Sequence, residues 1–157
     1  MRNILLFLII LIVVGCTSHA AYTVFQPVPI ENWTLKDTAK IQLDAIQPQG
    51  QYALNICVRT TAVYRNQQMT LPLQVTHKWK HLNDSCTDSI TIVLADNTGH
   101  RMGDGINHRD IVTYLTTLHL PDTVSGCITI LPYPNDTIQG FSHVGVQLIP
   151  TDERARR

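Results

Sequence analysis

The sequence predicts an all-β chain: an antiparallel β-sandwich of about eight strands, with a jelly-roll-like arrangement among the topologies that fit. Three observations predict it. Apolar residues recur at every second position in segment after segment. Turn residues punctuate the chain at intervals of roughly 8–12 residues, as a sandwich requires. No long stretch shows the 3.6-residue apolar period of an amphipathic helix.

Taken in order, the chain from Ala21 to Pro29 reads as a tether passing into a first extended segment, which Pro27 and Pro29 restrict to an edge. Trp33-Thr34-Leu35-Lys36-Asp37 is a compact loop. Ala39, Ile41, Leu43 and Ala45 then alternate with Lys40, Gln42 and Asp44, giving a half-buried strand with one wet face. After a turn at Pro48-Gln49-Gly50, Tyr52, Leu54, Ile56 and Val58 form the inner face of a second such strand. Cys57 falls on its other face with Asn55 and Arg59, off the main core. Leu71, Leu73 and Val75 repeat the pattern, and Pro72 suggests an edge or a bulge. The segment from Ser89 to Ala95 is apolar on both faces, which suggests a central strand. A loop rich in Gly and Asp runs from Asp96 to Gly105. Threonines and branched residues favour a strand from Ile111 to Leu120, ending at a turn around Asp122. Gly126 to Leu131 and His143 to Ile149 complete the set.

The chain starts with a leader. Arg2 precedes an unbroken apolar run from Ile4 to Val14. At about 1.5 Å per helical residue that run covers only ~16 Å, half of a ~30 Å hydrocarbon core, so it reads as the h-region of a signal peptide. Val13-Val14-Gly15-Cys16 then looks like a lipobox, in which the Cys16 sulfur receives diacylglycerol through a thioether and Gly15 gives the signal peptidase access to the backbone. Residues 1–15 are the signal peptide on this reading, 16–30 the lipidated cysteine and tether, 31–150 the sandwich, and 151–157 a solvated tail. Two or three acyl chains anchor a protein durably where one holds only marginally. Residue 17 is Thr and not Asp, and no acidic cluster follows Cys16. The expectation is an outer-membrane protein, lipid-anchored and facing the periplasm.

Removing the leader leaves 11 basic and 12 acidic side chains, a balance without the electrostatic footprint of a nucleic-acid binder. With Cys16 lipidated, Cys57, Cys86 and Cys127 remain. That is an odd number in a compartment that permits disulfides, so at most one pair can form. None of their spacings suggests zinc, and His77 and His81, four apart in strand and loop, do not share a helical face. No Gly-x-Ser-x-Gly elbow and no close carboxylate pair is present, so the sequence predicts neither catalysis nor a metal or cofactor.

The run Asp96-Asn97-Thr98-Gly99-His100-Arg101-Met102-Gly103-Asp104-Gly105 is the best candidate site. Its glycines permit positive φ, and Asp96, Asn97 and Asp104 offer oxygens, but the spacing is not that of an EF-hand. A self-bonded loop is the first expectation. A partner-binding loop carried on Asp96, Gly99, Gly103, Asp104 and Gly105 is the functional one. His100 and His108 flank it without a role. Trp33 and Trp79 are stacking platforms for sugars or, more simply, core residues. Asp37-Thr38-Ala39, Asp88-Ser89-Ile90, Asp122-Thr123-Val124 and Asp136-Thr137-Ile138 fit a bacterial Asp-(Ser/Thr)-aliphatic O-glycosylation pattern, which makes Thr38, Ser89, Thr123 and Thr137 candidate acceptors. The same dipeptides are ordinary strand-entry turns.

Together these pieces resemble the GldH family of gliding-motility lipoproteins from Bacteroidota-type bacteria. Trp33 followed by Lys36-Asp37 is similar to the family's opening, Tyr52 through Arg59 to its strand ending in Arg, and Tyr64 to its following aromatic. Leu94-Ala95-Asp96 leading to Gly99 and then Gly103-Asp104-Gly105 is similar to its most distinctive stretch, and Gly126, Gly140 and Val144-Gly145-Val146 to its ending. Cys127-Ile128, and Pro132-Tyr133-Pro134, depart from the pattern. The resemblance implies an accessory part in gliding or the associated secretion machinery, envelope protein partners, and no known enzymatic activity. A carbohydrate-binding outer-membrane lipoprotein of a nutrient-uptake system is the alternative.

Overall fold

The computed structural model describes residues 22–46, 49–62, 69–80, 85–121, 123–133 and 138–151. Eight strands run through them: β1 (Tyr22–Pro27), β2 (Ala39–Ile46), β3 (Gly50–Thr60), β4 (Thr70–Trp79), β5 (Ser85–Val93), β6 (Arg109–Leu120), β7 (Val124–Pro132) and β8 (Phe141–Pro150). They form two four-stranded sheets, in the orders β1-β8-β3-β6 and β2-β7-β4-β5, with every pairing antiparallel. First pairs with last, second with seventh, third with sixth and fourth with fifth. That nested winding is a jelly roll.

The period-two pattern builds the core. Ile41 and Leu43 of β2, Leu71, Leu73 and Val75 of β4, and Ile128 and Ile130 of β7 point inward from one sheet. Leu54, Ile56 and Val58 of β3 and Val144, Val146 and Leu148 of β8 meet them from the other, in one continuous cluster. Each such fully buried side chain contributes about 1.5–3 kcal/mol relative to leaving it in water.

Three placements differ from what the sequence suggests. The segment expected to be a central strand is β5, an edge strand. Ser85, Thr87, Ser89, Thr91 and Val93 are exposed on its outer face, and Val93 made that face look apolar. Conversely β4, with Pro72, lies inside its sheet between β7 and β5. The proline is tolerated because the β7 ladder ends one residue earlier, at the Leu73–Pro132 pair, so its missing N–H breaks no rung. Finally, the first extended segment is β1, at the sheet edge that Pro27 and Pro29 call for, but it is hydrogen-bonded to β8 from Tyr22 on, ahead of the boundary expected at residue 31. Cys57 lies on the outer face of its sheet as expected, outside the core cluster, yet is itself 1% exposed.

The winding gives the sandwich two unlike ends. Strand β1 starts beside Leu148, at the end where the connections are short: residues 47–49, 80–84 and 121–123. The chain's last described residue, Thr151, bonds to Gln51 at this same turn end. At the opposite end lie all four long connections, residues 28–38, 61–69, 94–108 and 133–140. The eleven residues of β3 put roughly 30 Å between the two ends.

Candidate functional site

The four long connections start and finish at the loop end, and among the described residues the first and third are fastened by side chains of their own. In the first, Trp33 is fully buried and pairs reciprocally with Ile138 of the fourth connection, at N···O distances of 2.9 and 3.0 Å. Its indole Nε1 donates to the Asp37 carbonyl (2.8 Å), and the Asp37 carboxylate accepts from the Thr34 amide (3.1 Å) and hydroxyl (2.7 Å). Trp33 is therefore core, as is Trp79, and neither is a platform for sugars.

The Gly- and Asp-rich run occupies the third connection. The Asp96 Oδ1 accepts from the Thr98 amide (2.9 Å), the Thr98 hydroxyl (2.6 Å) and the His100 amide (2.9 Å), and these bonds hold its carboxyl below the usual carboxylate range. That oxygen is spent on the loop itself, the self-bonded arrangement the sequence suggests. Gly99, at φ 80°, turns the chain into open space. Gly103, at φ 89°, is needed for a second reason: a Cβ there would stand 2.7 Å from the Asp110 carbonyl and from Ile111 Cγ1. Gly105, at φ 121°, meets the His108 carbonyl still more closely. Asp104 forms an isolated bridge with Asp110, exchanging both backbone bonds.

Two arginines lash this loop down. Arg101 donates to the Thr60 hydroxyl (3.0 Å) and the Thr61 carbonyl (3.1 Å), and Arg109 to the Arg101 carbonyl (2.7 Å). Beside them, Arg59 grips Asp110 with two parallel bonds of 2.6 and 2.7 Å, a bidentate fork. That fork pulls the Asp110 carboxyl below its ordinary range and raises Arg59. The Phe25 ring lies across β8 to meet the Arg59 guanidinium, 4.8 Å from ring centroid to Cζ, with His143 edge-on to the same ring. Gly145 makes this possible, since a Cβ there would stand 2.7 Å from Phe25 Cδ1. Cys57, in register with Gly145 and Val112, is dehydrated beneath this row, and its thiol is pushed up to about 11 by burial and by the Asp110 charge.

Among the polar residues this frame exposes are a few large apolar ones. Ile106 is 97% exposed at the tip of the third connection, and Met69 and Met102 are exposed close by, joined through backbone bonds to Leu94. Ile30 adds a further exposed apolar residue at this end. A rigid mount carrying an isoleucine and two adaptable methionines suits protein contact. The glycines and aspartates that stand out in the sequence build the mount, whereas Ile106, Met69, Met102 and the Arg59–Asp110 fork carry no motif. An isolated apolar residue in a polar loop was the available signal.

The other predicted positions scatter. Cys16, Tyr64, His81, Thr137 and residues 152–157 of the tail lie outside the described residues. Thr38 is half-buried in the turn that closes the Trp33 loop, Ser89 is exposed within β5, and Thr123 is exposed in the β6–β7 turn at φ 52°. His100 and His108 are exposed at the loop end. Of the thiols, Cys57 is on one sheet, while Cys86 and Cys127 pair with the neighbouring residues His77 and Lys78 of β4 and so face opposite sides of the other. None of the three is in a disulfide.

Comparison with known proteins agrees with this assembly. No curated protein matches the chain. The family model described as GldH lipoprotein matches residues 20–148, which takes in all eight strands but the end of β8 and every element of the loop end. With 129 of its 157 residues covered, the chain belongs to the GldH lipoprotein family.

Proposed function

We propose that the protein is a lipid-anchored, non-enzymatic accessory component of the gliding-motility or associated protein-secretion machinery of the cell envelope. Acyl chains on Cys16 hold it to the outer membrane on the periplasmic side, and the loop end meets a protein partner. One observation supports this reading: β1 begins at the turn end, and β1, β3, β5 and β7 all run into their long connections at the other. A sandwich so oriented holds Ile106, Met69 and Met102 roughly 30 Å from the turn end that the tether joins. Membership of a lipoprotein family supports the anchor. The carbohydrate-binding alternative loses its support, because both tryptophans it would use are buried.

Growth of the native host with radiolabelled palmitate tests the anchor. Label is expected on the wild-type polypeptide and absent from Cys16→Ser; equal labelling of both contradicts it. Affinity capture from detergent-solubilised membranes, comparing wild type with Ile106→Asp, tests the loop end. A co-purifying envelope protein lost in the variant supports the reading, and recovery of glycans alone contradicts it.

A further inference from the structure

A second concentration of reactive side chains lies away from the loop end, on the β4–β5 hairpin. Its register sets His77 opposite Cys86 and Val75 opposite Asp88, which brings His77, Cys86 and Asp88 to the inward side of the sheet at its edge. Their ligand atoms all lie within 4.8 Å of one another. The His77 side chain is 9% exposed. Its Nδ1 accepts a bond from the Trp79 indole N–H (3.2 Å), while Nε2 is buried with no hydrogen-bond partner and is aimed at the other two residues. Nε2 stands 3.4 Å from Asp88 Oδ2, and the Cys86 thiol donates to that same oxygen across 3.7 Å.

These separations have a chemical meaning. Bond lengths of about 2.0–2.2 Å to nitrogen and oxygen and ~2.3 Å to sulfur, at tetrahedral angles, give edges of about 3.4 Å between N and O and about 3.6 Å between S and O. Cys86 and Asp88, two apart on one face of β5, already share an S–H···O hydrogen bond, and the informative feature is the buried Nε2, which an isolated His–Asp hydrogen bond would satisfy and does not. We propose that His77 Nε2, Cys86 Sγ and the Asp88 carboxylate form a binding site for a divalent transition metal of the zinc type, with a fourth position left to water. The nitrogen and sulfur donors disfavour calcium and magnesium, which take oxygen. Loading the site releases the Cys86 proton and shifts the imidazole proton from Nε2 to Nδ1. The Trp79 N–H then loses its acceptor, which lowers the affinity and gives the indole a signal. The bound ion would clamp edge strand β5 to β4.

The sequence hides this site because its members are nine and eleven positions apart and only the hairpin register joins them. The test takes the full chain in detergent, strips it with chelator and titrates it with zinc against a competing dye, following tryptophan emission; a cobalt-loaded sample is read for a thiolate-to-metal charge-transfer band. One ion per chain is expected, with affinity falling at least tenfold in both Cys86→Ala and Asp88→Asn and unchanged in Cys127→Ser, whose thiol is on the opposite face of the sheet. The emission change and the cobalt band should vanish with Cys86→Ala. Absence of binding by the wild type, or equal binding by wild type and Cys86→Ala, overturns the proposal. Both variants change side chains at the sheet's solvent edge, so folding is preserved for the comparison.

Discussion

The turn end and the loop end of this sandwich are built by opposite means. At the turn end three short connections close strands whose inner residues run straight into the core, and a single close approach, Gly126 against the Trp79 ring, fixes the packing. At the loop end the strands stop, and long connections are held by polar bonds and positive-φ glycines: the Asp96 turn, the Arg101 and Arg109 ties, and the Arg59–Asp110 fork. The first is held by dehydrated apolar contact, which is global and cooperative. The second adds polar ties between connections to its buried Trp33, so its exposed residues can vary without endangering the fold.

The sharpest way to break that contrast is to add one methyl group at each end. A Cβ at Gly126 would lie 2.4 Å from the Trp79 ring carbon Cε3. Gly126→Ala should therefore lower global stability by about 3 kcal/mol, seen in urea unfolding as a shift of the midpoint for the whole domain. Gly103→Ala, strained at φ 89° and blocked by the Asp110 carbonyl, should cost about 2 kcal/mol. Its effect should appear as faster hydrogen exchange confined to residues 94–110. If Gly103→Ala loosens the core strands equally, the two ends are not independent.

Cys57 tests the region between them. Its thiol ionises at about 11 in the folded protein against 9.0 ordinarily, so the unfolded chain loses that proton first. Stability should fall as pH rises from about 9 to about 11 and then level off, by up to roughly 2–3 kcal/mol relative to Cys57→Ala at the same pH. Parallel curves for the two proteins would contradict the burial. Smaller still is the Arg59–Asp110 fork. The folded Asp110 carboxyl is depressed, so its contribution is present above the unfolded value, near pH 4, and disappears as pH falls through the folded one. Both side chains are about one-third exposed, and screening holds the contribution to about 1 kcal/mol. Asp110→Asn should remove that much at neutral pH and flatten the acid limb of the stability profile.

How much of this was legible follows the same division. Alternation of apolar residues exposed β2, β3, β7 and β8 directly, because a half-buried strand writes its two faces into the sequence. It misplaced β4 and β5 for a physical reason: whether a strand is central or at an edge depends on its neighbours, and Pro72 and Val93 each carried the opposite local signal. At the loop end the residues that need special backbone geometry, Gly99, Gly103 and Gly105, were legible as a group. The fork joining Arg59 to Asp110 was not, because its members are 51 positions apart and meet only through the β3–β6 register. Trp33 was legible as a loop residue, and its pairing with Ile138 needed the winding of the whole sandwich.

The proposed orientation sets the turn end toward the membrane and the loop end toward a partner. Site-specific photo-crosslinkers placed in membranes of the native host at Ile106 and at Gln49, exposed residues at the two ends, test it directly. A discrete protein adduct is expected from Ile106, lipid adducts or none from Gln49, and no change of stability beyond about 0.5 kcal/mol at either position. Lipid adducts from Ile106 with a protein adduct from Gln49 would contradict it.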